Sequence, residues 1–317
     1  MHQTQAGKTR GGRLDRGTLA LLAVTGAVVT WGWSNVAIKA VSVTGLVASF
    51  WRLWLAIPVL WLMAAVSPGV RAGLDRRWLV GSIVGGLLFG VHQWLFFSSL
   101  KATSVSDVSI IGALQPALVL LVAGPMFGER VGSMALAWSV VALLGTALVV
   151  VGGHGLPGWS AHGDLLAAGN LFVFTAYFLA SKRIREDVGA TAYVVGMTTV
   201  SGLVIAAVCL ATGQDVASPR PSDWPSLFGL ALLSGTLGHV LLNWAHPHAS
   251  AFVVSILLLG VPVLATAGAA LFLGEVPSRM QVAGGALVLL SIGCIVASTR
   301  GPVAEELAES AAETDAP

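Results

Sequence analysis

Charged residues are scarce in this chain. Asp, Glu, Lys and Arg together make up 10% of its 317 residues, whereas they make up about 25% of an ordinary soluble domain. A chain with so few charges cannot cover a folded surface with water-facing side chains. Because 56% of the residues are hydrophobic and the mean hydropathy is +0.84, the sequence predicts an integral membrane protein.

Other absences exclude several classes of function. The two cysteines, Cys209 and Cys294, both lie in apolar runs, so neither a disulfide framework nor a zinc site is indicated. A net charge of +2 is too small to indicate a nucleic-acid partner. There is no GxxxxGK[ST] motif for ATP, no HExxH motif and no acidic pair deep in an apolar run. We therefore expect neither an enzyme nor a bound cofactor or metal.

Ten apolar stretches of roughly 20 residues, the length that crosses a ~30 Å hydrocarbon core, follow one another along the chain. They predict an all-α integral membrane protein with ten transmembrane helices. The predicted helices occupy residues 18–40, 45–66, 78–100, 104–127, 131–151, 163–182, 190–212, 224–246, 250–273 and 279–299. The flanking segments are predicted to be a cytoplasmic polar tail at 1–17 and a disordered acidic tail at 300–317.

An internal repeat relates the two halves of the chain. At a constant offset of 146 residues, from 104 to 250, Ser104 aligns with Ser250 and Pro116 aligns with Pro262. Identical residues occupy 14 of the 49 aligned positions from 104 to 152, which favours a true repeat over chance. We expect one five-helix repeat at 18–152 and a second at 163–299. With five helices in each, the second repeat would be inverted in the membrane.

The distribution of basic residues sets the expected orientation. With the N-terminus inside, twelve Lys and Arg residues fall on inner loops and tails, and four fall outside. Short cytoplasmic loops carry such an excess. We therefore expect a multi-pass protein of the plasma membrane with both termini in the cytoplasm.

Several stretches resemble the EamA-type exporters of the drug/metabolite transporter superfamily. They are TWGWSNVAIK in the first span, FWRLWLA in the second, SSLKATSVSDVSII entering the fourth, and the two segments with Pro followed by Gly-Glu. The resemblance implies ten helices in two inverted repeats around a central cavity. It also implies export of a small organic solute, such as an amino acid, a related metabolite or a drug, by alternating access.

The two aligned prolines, Pro116 and Pro262, are expected to act as hinges. Each lies twelve residues past its aligned serine, or ~18 Å along a ~30 Å span at ~1.5 Å per residue. Each should free the carbonyl four residues earlier, that of Gly112 and that of Leu258. Backbone freed at this depth must face protein or a wet cavity.

Arg52 is the residue that is most costly to place in the membrane. It lies about seven residues into the second span, where an arginine costs on the order of 3 kcal/mol near the bilayer centre. Two interpretations stay open. The guanidinium could bind a substrate carboxylate, or it could extend to the outer interface and orient the helix.

Two deep histidines, His92 and His239, are the candidates for handling protons if protons drive transport, since histidine titrates near neutrality. By counting residues, the inverted topology places them on opposite sides of the midplane, ~12 Å apart in depth. The alternative interpretation for each is a neutral, structural histidine that is hydrogen-bonded to a neighbouring group. The remaining candidates for the solute pathway are polar or aromatic neighbours in the same spans: Trp31, Ser34, Asn35, Gln93, Tyr177 and Asn243.

Transport has two alternatives, an intramembrane enzyme and a receptor or scaffold that does not transport. An intramembrane enzyme would need a nucleophile with its base or a metal cluster, and neither pattern is present. A receptor or scaffold that does not transport has no contrary sequence signal. The glycines of the third span, Gly81, Gly85, Gly86 and Gly90, predict close contact with neighbouring helices in any of these cases.

Cysteine labelling tests the predicted topology. Single cysteines introduced at Gly158 and Gln214, in a background without native cysteines, should react with a membrane-impermeant thiol reagent in intact cells, because both positions would face outward. Cysteines at Gly73 and Gly189 should react only after permeabilisation. The reverse labelling pattern, or one that fits nine crossings, would contradict the inverted arrangement.

Overall fold

The computed structural model describes residues 16–67, 70, 73–128, 132–153, 159–291 and 293–294. Regular secondary structure in these ranges is entirely helical. In chain order the helices are α1 Arg16–Ala40, α2 Gly45–Val66, α3 Arg76–Ala102, α4 Val105–Gly112, α5 Gln115–Phe127, α6 Ser133–Gly153, α7 Ala161–Ile184, α8 Ala190–Ala211, α9 Pro221–His248, α10 Ala251–Leu257, α11 Gly260–Phe272 and α12 Arg279–Ser291.

Seven helical segments are long and apolar enough to cross a bilayer: α1, α2, α3, α7, α8, α9, and α10 with α11 taken together. The chain is therefore an all-helical protein of the multi-pass membrane type. The count of ten crossings and the inversion of the repeats stay predictions. The predicted tails lie outside the described residues, apart from Arg16 and Gly17.

Short polar side chains fix where several helices begin. Thr44 accepts a hydrogen bond from the Val47 amide at the start of α2, and Asp75 accepts one from the Trp78 amide at the start of α3. Ser250 does the same at the start of α10. Side-chain oxygens of this kind satisfy amides that have no partner in the first helical turn. These helix starts follow directly from the local sequence.

Helices of the two repeats pack against one another throughout the bundle. Helix α3 runs along α7 and α8, α1 packs against α9 and α11, and α4 contacts α11. The close approach predicted from the glycines of α3 is confirmed. A Cβ atom added at Gly81 would lie 2.6 Å from Ile184 Cγ2, and one added at Gly90 would lie 2.9 Å from Val204 Cγ1. Larger side chains would push α7 and α8 away from α3.

Both proline-containing segments are broken into two helices. The first break lies between Gly112 and Gln115, and the second lies between Leu257 and Gly260. Each proline thus stands in the first turn of a new helix, where its missing N–H costs little. The two breaks occur within one residue of aligned positions of the repeat and bring backbone, as well as side chains, to the centre of the bundle.

One expectation about these breaks is wrong. We expected Pro262 to leave the Leu258 carbonyl without a donor. Instead, the Val261 amide donates to Leu258 O at 2.9 Å, because the chain tightens into a three-residue turn at the break. The break therefore compensates locally for the bond that the proline removes.

Helix α9 is irregular in a way that the sequence does not indicate. Residues Leu230–Gly238 form a π-helical stretch, in which the Thr236 hydroxyl donates to Ala231 O at 2.9 Å. The stretch packs against α1 and α2 and ends directly before His239. Turns of this kind are rare and recur at functional sites.

Candidate functional site

A cavity of about 110 Å³ lies at the centre of the bundle, between residues of both sequence repeats. This is several times the space that one water requires, about 10–15 Å³ measured in the same way. The two helix breaks form part of its wall. Its polar lining consists of Ser34, Asn35, Arg52, His92, Gln93, Ser109, Gln115, Asn170, His239 and Ser255. The space suits a small solute with polar groups.

Most of the side chains predicted for the solute pathway line this cavity. The exceptions are Tyr177 and Asn243. Tyr177 is buried behind His239, with its hydroxyl 3.4 Å from His239 Nδ1. Asn243 donates from Nδ2 to the His239 carbonyl at 2.9 Å. The predicted residues that do line the cavity are Trp31, Ser34, Asn35, Arg52, His92, Gln93, His239, Pro116 and Pro262.

Arg52 is buried, with only 4% of its surface exposed. Its Nη1 donates to Gln93 Oε1 at 2.6 Å, and its guanidinium carbon lies 5.6 Å from the ring centroid of Phe89 and 5.8 Å from that of Phe97. The two ion pairs of the described chain, Arg77–Asp187 and Arg183–Glu186, do not involve it. Arg52 thus points into the bundle and does not extend to the interface.

The histidines belong to one aromatic cluster. His92 Nδ1 lies 2.7 Å from Asn170 Oδ1, and its ring packs on Phe174 with the centroids 4.7 Å apart. The ring of Phe89 lies 5.5 Å from His92 and 4.7 Å from His239, measured between centroids. The expected depth separation of ~12 Å is therefore wrong, because both rings contact the same phenylalanine.

Helix α1 supplies one wall of the cavity. Trp31 Nε1 donates to the Ser234 carbonyl in the π-helical stretch of α9 at 3.1 Å, and the Trp31 ring packs on His239 with centroids 4.7 Å apart. The Ser34 hydroxyl bonds back to the Trp31 carbonyl at 2.8 Å. Asn35 Nδ2 donates to Ser109 Oγ at 3.3 Å. The bonds of Trp31 and Asn35 hold α1 against helices of both repeats.

Sequence reasoning missed Gln115, which lines the cavity beside Pro116. Its side chain is 2% exposed, and Nε2 has no hydrogen-bond partner in the described chain. A buried donor left unpaired costs about 1–3 kcal/mol, so a hydrogen-bond acceptor beside Gln115 would stabilise this part of the cavity. The sequence did carry a signal for Gln115, because this polar residue aligns with the apolar Val261 of the second repeat. Asn170 and Ser255 were missed as well.

The cavity carries a positive charge. Among the lining residues that the structure describes, Arg52 is the one Lys, Arg, Asp or Glu side chain. A second buried arginine, Arg185, lies beyond the end of α7 and donates from Nε to the Asn243 carbonyl at 2.8 Å. Burial lowers the pKa of Arg185 to about 10, which leaves it protonated at neutral pH. That bond anchors α9, the helix that carries His239. The bond itself lies away from the cavity.

Two adjoining parts of the chain, residues 18–151 and 161–297, each match the sequence model of the EamA-like transporter family. The chain belongs to this family. The two matches leave only the tails and a short connection uncovered.

Several named proteins and a solved structure are similar to this chain. The aromatic amino acid exporter YddG of Ancylobacter novellus is 26% identical over 80% of this chain and 88% of its own. The pseudopaline exporter CntI of Pseudomonas aeruginosa is 26% identical over 71% and 77%. A probable terminal-alkyne amino-acid exporter of Streptantibioticus cattleyicolor is 28% identical over 89% and 95%. One crystal structure matches with a TM-score of 0.71 at 20% identity, covering 89% of this chain and 98% of the other, and so shows the fold alone.

Replacing Gln93 tests the environment of Arg52. The Gln93→Leu substitution should lower the free energy of unfolding by about 1.5–3 kcal/mol, because it removes a hydrogen bond to a buried charge. The Gln93→Glu substitution keeps the acceptor and supplies an opposite charge, so it should be at least as stable as the native protein. Titration with a denaturing detergent would measure both values. A leucine variant of native stability would show that Arg52 has another partner.

Proposed function

We propose that the chain is a secondary transporter that exports a small organic solute carrying a carboxylate across the plasma membrane by alternating access. The observation that carries this proposal is the position of Arg52, which is buried beside a central cavity without a carboxylate partner in the described chain. A guanidinium binds a carboxylate with two parallel hydrogen bonds. Gln93 occupies one side of it and leaves other donors for the solute.

The cost of Arg52 supports a functional role. An unpaired arginine deep in a membrane protein is expensive, and such residues mark substrate pathways. If the charge served stability alone, an apolar residue of similar size would do better. A solute carboxylate in the cavity would supply the missing partner, and its release would return the site to its higher-energy state.

The family and its named members support transport rather than catalysis. Three similar proteins are named as exporters, two of them of amino acids and one of pseudopaline. Their names support the outward direction and a small organic solute as cargo. The proposed solute pathway consists of Trp31, Ser34, Asn35, Arg52, His92, Gln93 and His239 around the cavity, with Tyr177 and Asn243 behind it.

Alternating access would follow from two inverted five-helix repeats, at 18–152 and 163–299, with both termini in the cytoplasm. The paired matches to one family model support the division. The aligned helix breaks before Pro116 and Pro262 support hinges at equivalent depths. A central site beside broken helices would then open to one face and afterwards to the other.

Binding and flux measured in reconstituted vesicles test this mechanism. Vesicles are loaded with a panel of amino acids and of hydroxy and oxo acids, and efflux is followed by mass spectrometry. Arg52→Gln should abolish both binding and efflux. Pro116→Ala and Pro262→Ala should keep binding but slow efflux several-fold, because a continuous helix resists the hinge motion.

Matched substitutions elsewhere serve as controls for this experiment. Arg183→Gln removes an exposed arginine paired with Glu186, and Pro58→Ala removes a proline within α2 that does not line the cavity. Both controls should transport at the native rate. Efflux that is unchanged in Arg52→Gln would remove the basis of the proposed function.

We propose further that His92 and His239 carry protons in the transport cycle. Both line the cavity, and a group alternately wetted and buried changes its proton affinity between the two states. Replacing both histidines with glutamine should remove the response of efflux to an imposed pH gradient of either sign while leaving the protein folded. A double variant that responds like the native protein would show that both histidines are packing residues.

A further inference from the structure

The charge of the cavity limits which carboxylic acids it can hold. Among the described residues that line it, Arg52 is the one with a formal charge, and none is Asp or Glu. A solute of net charge −1 would cancel the charge of Arg52. A zwitterionic amino acid would pair its carboxylate with Arg52 and leave its ammonium group without an opposite charge in a site of low dielectric constant, where such a charge is costly. Protonation of either lining histidine would add positive charge to the cavity and strengthen its preference for an anionic solute.

Two acidic residues on the helices of the cavity or at their ends have hydrogen-bond donors of their own. Asp107 in α4 accepts a hydrogen bond from the Ser104 hydroxyl at 2.5 Å. Asp223 at the start of α9 accepts from the Ser42 hydroxyl at 2.6 Å and from the Arg220 amide at 3.0 Å. Neither aspartate lines the cavity. An ammonium group in the cavity therefore has no carboxylate among the described lining residues.

Aromatic faces, which can also bind ammonium groups, are already covered. Phe89 and Phe97 face the guanidinium of Arg52. Phe96 stacks on His92 with the ring centroids 5.5 Å apart, and Phe174 lies on the same imidazole. These rings, and Trp31 on His239, thus already contact cationic or nitrogen-containing groups.

What the cavity offers instead is a second hydrogen-bond donor. Gln115 is part of the lining, and its Nε2 is buried without a hydrogen-bond partner in the described chain. The amide of Gln115 suits an uncharged oxygen on the solute, such as a hydroxyl, a keto oxygen or an acyl oxygen, in addition to the carboxylate at Arg52.

We infer that the cavity selects organic acids of net charge −1 that carry an uncharged hydroxy, oxo or acylamino group near the carboxylate, and that it discriminates against zwitterionic amino acids. This inference rests on the proposed function, since it names the solute class of the same site. It differs from the amino acids that two of the similar proteins are named for.

Pairs of solutes that differ only in the group beside the carboxylate test this inference. Binding and efflux are measured at pH 7.4 for 3-phenyllactate against phenylalanine, for 2-hydroxyisocaproate against leucine, and for lactate against alanine. In at least one pair the hydroxy acid should bind at least about tenfold more tightly and be exported, because it leaves no unpaired ammonium group. Phenethylamine, a cation without a carboxylate, should not bind.

The outcomes separate the inference from the proposed function. If members of the pairs bind but no hydroxy acid binds at least about tenfold more tightly than its amino acid, the selectivity is overturned while the transport of carboxylates stands. If no member of any pair binds or is exported, the proposed function fails as well. Arg183→Gln, which changes an exposed charge, should leave the ratio within each pair unchanged.

A second variant tests the role of Gln115. In the native protein, 3-phenyllactate should bind several-fold more tightly than 3-phenylpropionate, which lacks the hydroxyl group. Gln115→Leu should abolish this difference while 3-phenylpropionate keeps its affinity, because the variant loses a donor and no charge. If Gln115→Leu weakens both acids equally, Gln115 shapes the cavity and does not bind the solute.

Discussion

The hydrogen bond between Arg52 and Gln93 joins α2 to α3 at the centre of the bundle, and much of the surrounding structure depends on it. A lone cation in an apolar bundle requires nearby groups that can accept or face it. Gln93 accepts one N–H, and the rings of Phe89 and Phe97 present their faces. Since Phe89 also contacts both histidines of the cavity, the guanidinium, the aromatic cluster and the histidines form one connected unit.

Much of the fold could be predicted from the sequence because membrane helices are recognisable by their length and apolar composition. The second helix was predicted at 45–66 and lies at Gly45–Val66, where Thr44 caps its start. The glycines of α3 predicted its close contacts. The crossing count cannot be read in the same way, since α4, α5, α10 and α11 are each shorter than a full span.

The site was harder to predict, because helices that are apolar on all sides have no hydrophobic face to show which way a side chain points. The sequence identified Arg52 as costly but left its direction open. The sequence did not show that Gln115, beside Pro116, faces the cavity. The separation of His92 and His239 was wrong because counting residues along straight helices ignores tilt and packing, and both rings meet at Phe89.

The π-helical stretch Leu230–Gly238 makes the two repeats mechanically unequal. Its counterpart in the first repeat lies in α3, which is a regular α-helix from Arg76 to Ala102. Helix α9 can convert wide turns to ordinary ones by exchanging hydrogen-bond partners along its backbone, whereas α3 would have to break bonds to change its pitch. An indole from α1 is bonded to a carbonyl within that stretch. A sequence repeat has thus produced one regular helix and one helix with wide turns beside the same cavity, and equal changes of pitch in the two helices need not require equal work.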